Sequence, residues 1–281
     1  MEQEFSYNDE DLIRVNECST VYKENEDTII KIFTDEFLES EEEKGLTTEK
    51  KLKDASNIKN MPELIKPNKI LYNKQGKFIG YKMPRVRGMN LAYYRNNVLA
   101  KDKNILKTVA NDIKKLEQII KQAHKNGIVI PDLVNEGNIY FTKEGIKLID
   151  YDGMQVKDNK TDSISRALGD ESYLYNSKYI IDGDYSSFPE YTEELDKLSL
   201  LELYFLFIFR INTVNSLELR YSCDELINLL GLEHDPLATN IENIFNNDVP
   251  NTYLKESVKR ISEEYSLEID PIFGRRKLVR K

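Results

Sequence analysis

Residues 129–153 read VIPDLVNEGNIYFTKEGIKLIDYDG, a polar loop followed by two short apolar segments that a glycine separates. The two apolar segments predict a β-hairpin. Asp132 and Asn138 lie in the loop before the hairpin, and Asp150 directly follows its second strand. Oxygens of Asp and Asn suit Mg²⁺, which proteins usually hold with one or two side chains besides substrate phosphates. Because Asp and Asn are also ordinary turn residues, each piece alone leaves a purely structural role open.

Short strands are predicted before this hairpin. They cover residues 12–15, 19–23, 28–33, 69–73 and 77–83, with polar turns between them. The third strand, TIIKIF, carries a single lysine, Lys31, among apolar residues. If it is buried, this lysine must neutralise an anion, because an unpaired buried charge is costly. On an edge strand, the same lysine would simply face water.

Helices are predicted on both sides of the second strand pair. The acidic segment 35–44 indicates a solvated helix face or a loop, and Thr47 or Thr48 is a candidate cap for the next helix. Residues 105–125 form a long helix, since apolar residues recur there every three or four positions. From about residue 190 the chain is mostly helical. The order of elements predicts an α+β protein.

Composition narrows the possible functions. Acidic residues outnumber basic ones 49 to 40, and the net charge of −9 argues against a nucleic-acid partner. Two cysteines and two histidines, all far apart, support neither a disulfide framework nor a zinc site. The acidic start lacks a secretory signal, and the longest apolar run, residues 203–209, is too short to cross a bilayer. We therefore expect a cytoplasmic protein without a membrane partner.

In this order, the polar residues resemble the protein kinase superfamily over about residues 11–200. Lys31 matches the lysine on the family's third strand, which holds the α- and β-phosphates of ATP. Asp132 matches the catalytic-loop aspartate that receives the substrate proton. Asn138 and Asp150 match the asparagine and the strand-end aspartate that hold Mg²⁺. The resemblance implies ATP and Mg²⁺ as cofactors.

The resemblance also covers residues around the nucleotide. Glu49, eighteen positions after the strand lysine, best matches the helix glutamate that pairs with it, and Glu43 is a weaker rival. Met83 matches the residue at the gate of the hinge, and Val86 lies in the segment behind the adenine. Asp196 matches the helix aspartate that anchors the backbone of the catalytic loop.

The fold that the resemblance implies is bilobal. Residues 1–84 would form an N-lobe with an antiparallel sheet and one helix, and residues 85–273 a larger, mainly helical C-lobe with the catalytic hairpin. Residues 274–281 form a basic tail, which we expect to be a disordered, solvated end. The implied activity is ATP- and Mg²⁺-dependent phosphate transfer to hydroxyl groups of an unidentified protein substrate, on serine or threonine rather than tyrosine.

Several positions depart from the family pattern. No glycine precedes Gly45, so the glycine-rich phosphate loop is missing, and Arg14 or Ser19 could contact phosphate instead. The catalytic-loop Asp and Asn are one residue further apart than in the family. Pro131 replaces the arginine that contacts a phosphorylated activation loop, so we expect activity without that phosphorylation. Asp152 replaces a glycine and adds a candidate metal ligand.

Two other functions remain open. The missing glycines, the longer catalytic loop and Pro131 favour a pseudokinase, which would bind nucleotide or dock a protein without catalysis. A small-molecule kinase of the aminoglycoside or choline type is the second alternative. Those enzymes carry two histidines in the catalytic loop, and the segment Ile130-Pro131-Asp132 and its neighbours have none.

Overall fold

The computed structural model describes residues 11–43, 48–130, 133, 137–156, 252–269 and 276–281, and residues 196, 199–200, 203–204, 207, 227, 233–236 and 238–239 between them. These residues form helices and antiparallel strands, which confirms the α+β class. No helix in this part of the chain is long and apolar enough to span a membrane.

A five-stranded antiparallel sheet comes first, in the order β1-β2-β3-β5-β4. Its strands are β1 (Leu12–Val15), β2 (Ser19–Lys23), β3 (Thr28–Phe33), β4 (Lys69–Tyr72) and β5 (Phe78–Pro84). All five agree closely with the sequence prediction. Lys31 lies on β3 opposite Tyr81 of β5. Gly80 lets the two strands approach, because a Cβ atom there would lie 2.1 Å from the carbonyl oxygen of Lys31.

Two helices follow β3, so the expectation of one helix within residues 1–84 is wrong. The acidic segment forms α1 (Asp35–Glu43), in agreement with one of the two structures expected for it. The next helix, α2 (Thr48–Ser56), buries one face, which consists of Thr48, Lys51, Leu52 and Ala55. This helix packs against the segment around residues 151–156. A polar side chain on the buried face of α2 therefore points towards the end of the predicted catalytic hairpin.

The central part combines small sheets with one long helix. It contains β6 (Met89–Asn90), α3 (Leu91–Asn97), α4 (Ile105–Lys125), β7 (Ile128–Val129), β8 (Ile139–Thr142), β9 (Gly145–Leu148) and β10 (Gln155–Val156). Strands β6, β8 and β9 form one antiparallel sheet, and β7 pairs with β10. The predicted long helix and hairpin are confirmed, whereas β6 and α3 were not predicted from the sequence.

The later residues contribute to the same core. Leu203, Tyr204 and Phe207 are helical and fully buried, in agreement with a helix that is apolar nearly all round. Towards the end, α5 (Thr252–Glu264) packs against α4, and β11 (Tyr265–Ile269) pairs with β12 (Arg276–Arg280).

The prediction of a disordered basic end is wrong for residues 276–280. They form strand β12 because Leu278 is buried in the core. Two acidic side chains also offset the charge of Arg280, which lies 3.3 Å from a carboxylate oxygen of Glu264 and 3.8 Å from one of Asp235. Pairing with β11 and burial of Leu278 thus outweigh the high charge of the segment.

Candidate active site: one lysine and two aspartates

Lys31 contacts two aspartates from a distant part of the chain. Its Nζ lies 2.5 Å from Oδ1 of Asp150, although the two residues are 119 positions apart. The same Nζ lies 2.8 Å and 3.0 Å from the two carboxylate oxygens of Asp152. The lysine side chain is only 10% exposed. Two residues that the sequence analysis assigned to one site, Lys31 and Asp150, therefore converge.

Backbone hydrogen bonds fix the hairpin that carries Asp150. The amide of Leu148 donates to the carbonyl of Glu63 at 2.8 Å, and the carbonyl of Leu148 accepts from Ile65 at 2.9 Å. These bonds join strand β9 to the segment after α2. One residue later, Ile149 donates to the carbonyl of Asn138 at 3.0 Å. Asn138 is therefore held beside the base of the turn that begins at Asp150.

Asp150 adopts a left-handed backbone conformation, with φ +74° and ψ +55°. For a residue with a side chain, this conformation costs about 1–2 kcal/mol. The chain then forms a short 3₁₀ turn, Tyr151–Gly153, in which Tyr151 is buried. The carboxylates of Asp150 and Asp152 consequently both face Lys31. Strained backbone of this kind is concentrated at functional sites.

Asp152 has further partners that the sequence analysis missed. The hydroxyl of Tyr81 donates to its Oδ1 at 2.8 Å. Lys51, on the buried face of α2, donates to its backbone carbonyl. The signal that could have revealed Lys51 is its place in a helical stripe with Ala55, four positions later, which is itself fully buried.

The predicted pairing of Glu49 with Lys31 is wrong. The carboxylate of Glu49 accepts hydrogen bonds from Lys53 at 2.5 Å and from the hydroxyl of Tyr72 at 2.8 Å, and its side chain is 37% exposed. Glu43, the rival candidate, is exposed at the end of α1. On an α-helix, residues two positions apart differ by about 200° in direction. Because α2 turns Lys51 into the core, Glu49 points outward.

Burial and mutual charge set the pKa values in the cluster. Burial acts to lower the pKa of Lys31, but the charges of Asp150 and Asp152 outweigh it and raise the pKa above its ordinary value. Burial and the charge of Asp152 raise the pKa of Asp150. Burial also acts to raise the pKa of Asp152, but the charge of Lys31 outweighs it and lowers that pKa. Two adjacent carboxyl groups cannot both ionise cheaply, so Asp150 is the first to take a proton.

Three other predicted site residues have different outcomes. Asp132 lies outside the described residues. Met83 is buried on the same strand as Tyr81. Val86 lines a cavity of about 420 Å³ together with Ile65 and charged residues, and neither Lys31 nor the two aspartates line that cavity. The adenine-binding roles of Met83 and Val86 stay predictions.

Asp196 holds the backbone at the start of the predicted catalytic loop. Its two carboxylate oxygens accept from the amide of Ile130 at 3.0 Å and 3.1 Å, and the side chain is fully buried. The expected contact of Asp196 with the loop backbone is confirmed at Ile130. Nε2 of His124 also lies 2.7 Å from Asp196 Oδ2, a contact that the sequence analysis missed.

The side chain of Asn16 closes the turn between β1 and β2. Oδ1 of Asn16 accepts from the backbone amides of Cys18 and Ser19, at 3.0 Å and 2.7 Å, and from the Ser19 hydroxyl at 3.1 Å. Ser19 is fully buried, so the expectation that it contacts phosphate is not supported. Arg14 is exposed. The amides of this turn already have an acceptor, unlike those of an open phosphate-binding loop.

A divalent cation such as Mg²⁺ requires oxygen ligands, and a few lie near Lys31. Within the described residues, no group of three or more Asp, Glu, His or Cys side chains is arranged to hold a metal ion. The candidate donors are the carboxylates of Asp150 and Asp152 and the side-chain oxygen of Asn138. Oxygen donors in this small number fit Mg²⁺ when substrate phosphates supply the remaining ligands.

No protein-family model matches the chain, and no curated protein matches it significantly. The function is therefore inferred from the residues around Lys31, their contacts and their charges.

Proposed function

We propose that the chain is an ATP- and Mg²⁺-dependent phosphotransferase with a bilobal, protein-kinase-like fold, which transfers phosphate to hydroxyl groups of a protein substrate. Serine and threonine are the proposed acceptors, in preference to tyrosine. The observation that carries the proposal is the contact between Lys31 on strand β3 and Asp150 after strand β9. A buried lysine from a sheet and a strand-end carboxylate from a separate hairpin are the two groups needed to bind a triphosphate and its cation.

Each side chain has a separate task in this proposal. Lys31 binds the α- and β-phosphates through its ammonium group. Asp150 and Asn138 would hold Mg²⁺, which would offset the negative charge of the phosphates. The acceptor hydroxyl oxygen forms a bond to the γ-phosphorus while the bond from that phosphorus to the β,γ-bridging oxygen breaks and ADP leaves. The hydroxyl proton passes to the carboxylate of Asp132. Positioning and electrostatics supply most of the rate enhancement.

Binding of ATP is expected to require a divalent cation. Phosphate oxygens must compete with the carboxylates of Asp150 and Asp152 for the single ammonium group of Lys31. A cation that occupies a carboxylate removes part of that competition. A thermal-shift titration with ATP plus Mg²⁺, and with ATP plus EDTA, measures this dependence, because a ligand that binds only the folded state raises its melting temperature.

Transfer of radiolabelled γ-phosphate tests the activity itself. The parent protein, Asp150→Asn and Glu49→Gln are incubated with labelled ATP, Mg²⁺ and casein, and both casein and the protein itself are analysed for label. We expect Asp150→Asn to lower the rate by about 100-fold or more, as for loss of one electrostatic group at a reacting phosphate. The exposed control Glu49→Gln should keep the parent rate. Transfer by Asp150→Asn at the parent rate would remove the metal assignment.

A nucleotide-binding or docking module without catalysis is the second candidate. The closed turn between β1 and β2 favours it, because Asn16 occupies amides that could otherwise approach a phosphate. The two candidates differ in one result. A binding module is stabilised by ATP and Mg²⁺ but transfers no phosphate to any acceptor. The enzyme is stabilised by ATP and Mg²⁺ and also transfers phosphate. Transfer to a sugar or choline acceptor but not to a protein would favour the small-molecule kinase.

A further inference from the structure

We propose that Asp152 is the positioning residue that orients Lys31, in the place that the kinase resemblance gives to a helix glutamate. The proposal rests on the function proposed above and adds to it the identity of the carboxylate that holds the lysine. The helix glutamate expected from the sequence faces away from the site, whereas Asp152 contacts the lysine directly.

The two aspartates contact the lysine differently. Asp152 accepts from Nζ of Lys31 with both carboxylate oxygens, at 2.8 Å and 3.0 Å, whereas Asp150 accepts with one oxygen at 2.5 Å. The Asp152 side chain is 11% exposed and the Asp150 side chain 29% exposed. Asp152 is thus the inner, two-oxygen partner, and Asp150 is the outer, more accessible one.

Two rigid elements hold Asp152 in place. Tyr81, on the strand directly beside β3, donates to Oδ1 of the carboxylate at 2.8 Å. Lys51, on α2, donates to the backbone carbonyl of the same residue. Tyr81 is fully buried and Lys51 nearly so, so neither contact is a mobile surface contact. A carboxylate fixed through both its side chain and its backbone is suited to orient a flexible lysine.

This arrangement divides the work between the two aspartates. Asp150 is partly exposed and available to a cation. Asp152 remains with Lys31 when Asp150 binds that cation, so the ammonium group stays directed at the phosphates. In this chain the metal ligand and the lysine partner therefore come from the same three-residue turn, 150–152. Helix α2 acts on the site through Lys51.

The test compares carboxylate-to-amide substitutions at two positions. Asp152→Asn is expected to lower kcat/KM for ATP by about 100-fold, the loss typical of a misplaced group, while the KM for the protein acceptor stays unchanged. Asp152→Glu should restore part of the loss, because it returns a carboxylate. Glu49→Gln, the matched control on α2, should stay within about twofold of the parent. A parent-like kcat/KM in Asp152→Asn would overturn the proposal.

A second readout needs no nucleotide. In the parent protein and in Glu49→Gln, the ¹⁵N-labelled side-chain ammonium group of Lys31 should give a sharp, slowly exchanging NMR signal, assigned with Lys31→Arg. We expect that signal to broaden or vanish in Asp152→Asn and to weaken in Tyr81→Phe, which keeps the carboxylate and removes one support. If the parent transfers no phosphate, the proposed function fails, and this signal still decides which carboxylate holds Lys31. An unchanged signal in both variants would contradict the proposal.

Discussion

Two groups in the described part of the chain each combine a lysine, a carboxylate and a tyrosine hydroxyl, and the group around Lys31 has a second carboxylate, Asp150. In the buried group, Lys31 contacts Asp152, which accepts from Tyr81. In the surface group, Lys53 contacts Glu49, which accepts from Tyr72. In each group the lysine Nζ also lies 5.6 Å from the centre of an aromatic ring. The other parts are alike, so the difference between the groups lies in burial and in how they are assembled.

The two lysines differ in exposure and in the origin of their partners. Lys53 is 52% exposed and pairs with a carboxylate four positions away on the same helix. Lys31 is 10% exposed and pairs with residues more than a hundred positions away. A pair on one helix forms wherever the helix forms, whereas the buried group needs the whole fold. This comparison shows that an opposite charge close in sequence is a poor guide to the partner of a buried lysine.

The largest expected difference concerns removal of each lysine. Lys31→Met leaves Asp152, which is 11% exposed, and the more exposed Asp150 without their ammonium group, so we expect the free energy of unfolding to fall by about 3 kcal/mol. Lys53→Met removes an exposed pair and should cost about 0.3–0.5 kcal/mol. Urea denaturation of both variants without nucleotide measures the two values. Equal losses would mean that burial does not distinguish the two groups.

The two aspartates that contact Lys31 should respond to substitution with opposite signs. The pKa of Asp152 is lowered in the folded state, so its carboxylate contributes stability above pH about 3.9 that is lost as the pH falls. The pKa of Asp150 is raised, so stability falls as the pH rises from about 3.9 through that raised value. At pH 7 we therefore expect Asp150→Asn to raise the free energy of unfolding by about 1 kcal/mol and Asp152→Asn to lower it.

Denaturation at pH 7 and at pH 3 measures this prediction, and the difference between the variants should narrow at the lower pH. Glu49→Gln serves as the surface control. The pKa of Glu49 is lowered by the hydrogen bond from Lys53, but its side chain is exposed and screened by solvent, so its effect should be slight. Destabilisation of the same size by Asp150→Asn and Asp152→Asn would show that the two carboxylates play the same part.

The smallest expected difference concerns the two tyrosine hydroxyls. Tyr81→Phe removes a donor from a buried carboxylate and should cost about 1.5–3 kcal/mol, as for a hydrogen bond to a charged group. Tyr72→Phe removes a donor at the surface, where water replaces it, and should cost a few tenths of a kcal/mol, on the order of an exposed contact. The melting temperatures of the two variants provide the comparison. A larger loss in Tyr72→Phe would reverse the assigned importance of the groups.

Local patterns were sufficient for the five strands of the first sheet, for α4 and for the hairpin β8–β9. Strand β3 and helix α4 have the predicted bounds, because alternation and three-to-four spacing are properties of the segment itself. The turn Tyr151–Gly153 and the short strand β6 were not predicted. Their formation depends on packing between segments that are distant in sequence.

The candidate site was predicted only in part, because its contacts also depend on packing between distant segments. Lys31 and Asp150 could be found because each is a charged residue in or directly after an apolar strand. The partner of Lys31 could not be chosen from the sequence, because the rotation of α2 about its axis is set by the sheet beneath it. Lys51, which comes two positions after Glu49 along α2, lies on the buried face, and Glu49 does not.

Isothermal titration calorimetry of ATP with Mg²⁺ tests the central claim most directly, namely that Lys31 and Asp150 together bind a triphosphate and its cation. The parent protein and Glu49→Gln should bind ATP with the same affinity, and both should lose binding in EDTA. Asp150→Asn, which we expect to be folded and more stable than the parent, should bind at least about tenfold more weakly. Binding of equal strength in Asp150→Asn, or no binding by the parent, would contradict the claim.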